Sequence, residues 1–139
     1  MDLNTDPKIK HLEMIQAVIS RMAGNSFLLK GWSVILVSAL FALAAKDTQI
    51  LFICLAYFPA FTFWILDGYY LRQERLFRKH YDRVRALDSS EIDFSMDTSC
   101  VSGQVDPWAC VMFSRTLFIF HGTILVSIVI IMVIALLVS

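Results

Sequence analysis

Residues 27–45, FLLKGWSVILVSALFALAA, and 50–71, ILFICLAYFPAFTFWILDGYYL, decide the fold, because only Lys46, Asp47, Thr48 and Gln49 separate them. Each block is long enough to cross a hydrocarbon core about 30 Å thick at a helical rise of about 1.5 Å per residue. Lipid offers no partner to open backbone groups, so both blocks are expected to be helices. The short connection folds them into a tight antiparallel hairpin. A third block, residues 117–138 (LFIFHGTILVSIVIIMVIALLV), supplies a third span. The fold class expected is an all-α membrane protein: three transmembrane helices, an N-terminal amphipathic helix and a cytoplasmic juxtamembrane helix.

Composition supports this. Of 139 residues 58% are apolar and 17% charged, and the mean hydropathy is +0.66. A soluble domain has about 45–50% apolar and about 25% charged residues. Cys54, Cys100 and Cys110 lie in unrelated contexts and suggest no disulfide framework. Cys54 falls within the second span, where it reads as a small packing residue.

Of the 12 lysines and arginines, all but Lys46 fall on one side of the spans. The positive-inside rule places that side, and with it the N-terminus, in the cytoplasm, and the C-terminus beyond the membrane. Trp32, Trp64, Tyr69 and Tyr70 sit near span ends, as interfacial aromatics do. Pro59 is expected to kink the second span. Ala42-Leu43-Ala44 resembles a signal-cleavage site, but the patterned helix before the run is long for a signal leader, so the block reads as a retained span.

The chain divides into a cytoplasmic amphipathic helix (1–25), the hairpin (26–71), a cytoplasmic helix with an acidic linker (72–116) and the third span (117–139). In the first part Ile9, Leu12, Ile15, Val18, Ile19 and Met22 recur at helical spacing. Asp6 reads as its N-cap, Pro7 lies in its first turn and Gly24-Asn25 as its stop. Its apolar face is expected to pack on the other cytoplasmic helix, lie on the membrane, or bind a second copy.

Residues 72–87, RQERLFRKHYDRVRAL, carry six basic residues against two acidic ones. Arg72, Arg75, Arg78, Lys79, Arg83 and Arg85 form a candidate trigger or lipid-binding surface, since each basic residue near an anionic membrane contributes about 1 kcal/mol. Without a Gly-rich phosphate cradle, nucleic acid is not an expected partner. Glu74 and Arg78 are spaced as an ordinary helix-surface pair. Residues 88–107 are acidic and Ser-rich, and read as a mobile linker. Within them Ile92–Met96 alternates like a short strand that a second subunit could pair with.

Two ionisable residues fall inside the spans. Counted from the hairpin tip, Lys30 and Asp67 differ in depth by roughly 5 Å, so an intramembrane pair between them is geometrically reasonable. Such a pair would lock the hairpin at its cytoplasmic edge or serve gating or ion passage, since intramembrane charge is a functional hint by default. His121, near the start of the third span, is placed to hydrogen-bond a neighbouring helix or reach the interface. His11 and His80 show no ligand spacing, and no metal or cofactor is expected. The third span is β-branched, ends on Ser139 and is suited to anchoring or packing, not to lining a wet pore alone.

RMAGNSFLLKGW (21–32) and FWILDGYYLRQERLFRKHYD (63–82) resemble a group of small bacterial multi-pass membrane proteins. The layout over residues 8–87 is similar to SLATT-type and related anti-phage transmembrane effectors. The resemblance implies an oligomeric, pore-forming or membrane-disrupting protein of the bacterial inner membrane. The chain shows no obvious sensor domain, so a cytosolic partner or its own cytoplasmic segments would supply the signal. The lipid bilayer and further copies of the chain are the other partners expected. A non-conducting scaffold that recruits a cytosolic protein is the alternative reading, and a small transporter subunit a third. No nucleophile–base pair is visible, so an enzyme is not expected.

Overall fold

The long apolar runs and the patterned segments flanking them merge into helices far longer than a bilayer needs. The computed structural model describes residues 6–47 and 50–138. Helix α1 spans Pro7–Asp47, α2 Ile50–Ala86, α3 Trp108–Met112 and α4 Arg115–Val138, with short 3-10 helices at Ser89–Glu91 and Ser99–Gln104. Helices α1, α2 and α4 are each long and apolar enough to cross a membrane, the architecture of a membrane protein. Among the described residues there is no β-strand.

The 41 residues of α1 reach about 60 Å at about 1.5 Å each, twice the thickness of a bilayer core. Helix α2 runs back beside it along its whole length. Ala44 shares a core with Ile53 near the tip, Ser26 bonds Asp67 midway, and the Lys8 ammonium donates to the Leu87 carbonyl at the base (2.7 Å). The tip half is thus the membrane bundle and the base half a separate head. Residues Thr48 and Gln49 of the expected connection, and Ser139, lie outside the described residues.

Small side chains let the bundle helices approach. Val37 and Ala44 of α1 meet Ile53, Ala56 and Ala60 of α2, and Ile128 of α4 closes the core at 0% exposure. Such small-residue faces are how helices pack where lipid removes the hydrophobic drive between them. Outward side chains such as Phe27, Phe58 and Leu137 stay exposed, which suits contact with acyl chains.

Three expectations change. The stop at Gly24-Asn25 is overridden, and α1 runs through both residues without a break. One glycine costs a helix only about 1 kcal/mol, less than the packing gained by burying Ile19 on one side of it and Ser26 on the other. The N-terminal segment is therefore continuous with the first span and not a separate helix. Helix α2 likewise continues through Pro59 into its basic extension.

Second, residues 88–107 are not a free linker. Ile92 and Met96 pack on a core of Ile15, Ile19 and Val84, and Val101 is buried. Third, Ile92–Met96 forms no strand, because Phe94 adopts φ 55°. That left-handed conformation costs a residue with a Cβ roughly 1–2 kcal/mol and breaks the alternation a strand edge requires.

Asp6 does act at the α1 N-terminus, accepting from the Lys8 amide at 2.9 Å. The third span begins at Arg115, two residues before the expected Leu117. Between head and bundle, α3 rests on α2 at Gly68. A Cβ there would lie 2.5 Å from Met112 Cγ and 3.3 Å from Met112 Cα, so only glycine admits this approach.

Candidate functional site

Ser26, Lys30 and Ser33 repeat at spacings of four and three along α1, which puts them on the face turned toward α2. Opposite them, Asp67 of α2 is 0% exposed. The Lys30 ammonium lies 2.6 Å from Asp67 Oδ2 and also donates to the Ser26 hydroxyl at 2.9 Å. Ser26 in turn donates to Asp67 Oδ1. From α4, His121 Nε2 meets Asp67 Oδ2 at 2.9 Å. Because a carboxylate only accepts, that nitrogen carries the proton. One carboxylate thus ties the three spanning helices together at a single level.

The imidazole is held in place by its neighbours. Trp64, one turn before Asp67, stacks on His121 with ring centroids 5.9 Å apart and planes 7° from parallel. The Trp64 indole N–H donates to the Met112 carbonyl at 2.9 Å, so the α2–α3 contact fixes the ring that fixes the histidine. His121 Nδ1 and the Ser33 hydroxyl oxygen are buried with no hydrogen-bond partner. The Lys30 side chain, 21% exposed, is the cluster's one opening outward.

The Lys30–Asp67 pair expected from depth counting is therefore present as an ion pair. Ser26 and Trp64 were not anticipated as members. Their signal was the helical register they share with Lys30 and Asp67. His121 does bond a neighbouring helix, and its partner is the aspartate itself.

The basic candidates do not converge in the same way. Arg75, Arg78 and Lys79 line a recess of about 190 Å³ that Gln104 and Asp106 complete. Arg72 Nε donates to the Asp106 carbonyl at 3.3 Å, and Arg75 lies 3.8 Å from the Asp106 carboxylate. Arg78 pairs with Glu74 at 2.7 Å. Arg83 instead meets Cys100 Sγ, and Arg85 lies 3.8 Å from Asp82 in solvent. The six residues make two separate surfaces with one solvated member, not a single face.

The head has its own buried polar centre. His11 and His80, 84 and 15 residues from Ser95, both donate Nε2–H to the Ser95 carbonyl, at 3.0 and 2.8 Å. Their rings lie 5.8 Å apart, and both Nδ1 atoms are buried without partners. Sequence spacing could not reveal this pair, since the residues sit on different helices. Nearby, the Ser99 hydroxyl and then the Ser99 amide hold the Asp97 carboxyl below the usual carboxylate range. Among the described residues no group of three or more His, Cys, Asp or Glu is arranged to hold a metal ion. The three cysteines are free and exposed.

The chain matches no protein-family model, no curated protein and no solved structure.

Proposed function

We propose that this chain is the membrane subunit of an oligomeric, pore-forming effector, held closed in the single copy by the Asp67 cluster. One observation carries the reading: a fully buried carboxylate in a spanning helix is paired with a lysine and hydrogen-bonded by a histidine from the two other spanning helices. Stability alone is a poor reason to keep such a group, because well-packed apolar residues often replace a buried ion pair at no loss. Intramembrane charges usually serve ion movement or gating.

Further support comes from how the helices are built. Helices α1 and α2 run unbroken from the head to the cluster, so a displacement of the head reaches Asp67 through rigid elements. Releasing His121 would free α4 from α2 and turn Ser26, Lys30, Ser33 and Asp67 outward. Several copies could then surround a wet path lined by these groups. The head lies on the side that carries all the lysines and arginines but Lys46, which the positive-inside rule assigns to the cytoplasm, with the amphipathic part of α1 and the juxtamembrane part of α2 beneath the membrane. The resemblance to SLATT-type effectors fits a bacterial inner membrane, defence against phage and a cytosolic sensor as trigger.

The test is membrane potential, followed with a potential-sensitive dye while the chain is induced in a bacterial host. Because Asp67→Asn removes the charge that holds the helices closed, faster depolarisation by that variant than by the native chain is the expected result. Depolarisation of equal size in both would remove the cluster from the mechanism. A scaffold reading draws on the recess at Arg75, Arg78 and Lys79 as a docking surface. It predicts an unchanged potential and stable copurification with one cytosolic protein.

A further inference from the structure

Helix α2 packs on both α1 and α4, which make little direct contact with each other. Between them lies a groove of about 550 Å³, walled by Val34 of α1 and by Arg115, Thr116, Ile119, Phe120, Thr123 and Ile124 of α4, with Thr116 beside Arg115 at its polar end. Arg115, Ile119 and Thr123 follow one another at spacings of four, so they form one stripe along α4. The Thr123 hydroxyl is occupied by the Ile119 carbonyl at 2.7 Å, so it adds no free polar group to the groove. From Arg115 to Ile124 the groove runs about 13 Å along the helix, close to the depth of one leaflet of a core about 30 Å thick. It therefore starts with a cation at the membrane edge and ends, apolar, near the midplane.

We propose that this groove is a binding site for one anionic phospholipid, with the phosphate on Arg115 and an acyl chain along Ile119, Phe120 and Ile124. Charge identifies the occupant. Arg115 is exposed, and among the described residues no carboxylate lies within ion-pair distance of it, whereas the neighbouring Lys30 is matched by Asp67. A helix from a second copy filling the groove would bury an unmatched guanidinium, a heavy penalty. A phosphate satisfies its fork of donors bidentately. The site also borders the Asp67 cluster, since the Lys30 ammonium lies 6.0 Å from the centre of the Phe120 ring.

The proposal rests on the membrane character of the three helices and not on pore formation. The delipidated full chain, in detergent, would be titrated with phosphatidylglycerol or phosphatidylcholine and weighed by native mass spectrometry. One phosphatidylglycerol per chain should be retained, in preference to phosphatidylcholine. Arg115→Gln should lower that preference about fivefold, the effect of about one interfacial charge, and Val34→Trp should block retention of both lipids. Thermal unfolding without lipid should be the same for all three proteins, showing that the variants fold. An Arg115→Gln variant with undiminished preference would overturn the assignment. So would retention unaffected by Val34→Trp, or dimers in place of lipid adducts.

Discussion

Replacing Lys30 should destabilise the bundle more than replacing Asp67, although the two share one ion pair. Removing one partner of a buried pair costs about 3–5 kcal/mol because the other charge is stranded. In Lys30→Met the stranded group is a carboxylate at 0% exposure, with only Ser26 and His121 left to donate to it. The upper end of that range, about 5 kcal/mol, is expected. In Asp67→Asn the stranded ammonium belongs to a side chain 21% exposed, which can swing toward the interface, so about 3 kcal/mol is expected. The double variant strands nothing and should fall short of the sum by more than about 2 kcal/mol. A neutral interhelical hydrogen bond in a bilayer couples by about 0.6 kcal/mol on average and about 1.7 at most, so the size of the coupling distinguishes an ion pair. Unfolding in mixed micelles by a denaturing detergent gives these values, with helicity and the fluorescence of Trp64, stacked on His121, as readouts. A costlier Asp67→Asn, or additive single variants, would refute the reasoning.

The two helical glycines should respond oppositely to alanine. Gly24→Ala meets nothing within 4 Å and should stabilise by about 1 kcal/mol through helix propensity. Gly68→Ala drives a methyl against Met112, backbone included, and should destabilise by about 1–3 kcal/mol, both read in the same micelle assay. Ile15→Ala removes a 0% exposed side chain from the head core. It should cost about 2–5 kcal/mol and raise amide exchange across residues 88–107, which would stay protected if that segment docked independently. Asp97 titrates lower in the folded chain because Ser99 donates to it, so its contribution is full at neutral pH. That contribution is lost only as the pH falls beneath the ordinary aspartate value of about 3.9. The Ser99 amide resonance should stay put above pH 5 and move below about 4, and Ser99→Ala should shift that titration upward.

Hydropathy alone identified the three spans, because a bilayer demands apolar length whatever the tertiary arrangement, and long runs admit few other readings. Depth counting along an antiparallel hairpin also brought Lys30 within roughly 5 Å of the depth of Asp67, since a helix has one fixed rise per residue. Local stop signals were less reliable. The glycine of Gly24-Asn25 costs a helix only about 1 kcal/mol and a five-residue alternation is a weak signal, so tertiary packing around Ile15, Ile19 and Val84 outweighs both. What only the fold decided are the meetings between distant helices: His121 with Asp67 across 54 residues, and His11 with His80 on one carbonyl. No spacing rule links such residues. Their contact depends on which faces of separate helices turn inward, and that is set by the small side chains of the bundle and by the close approach at Gly68.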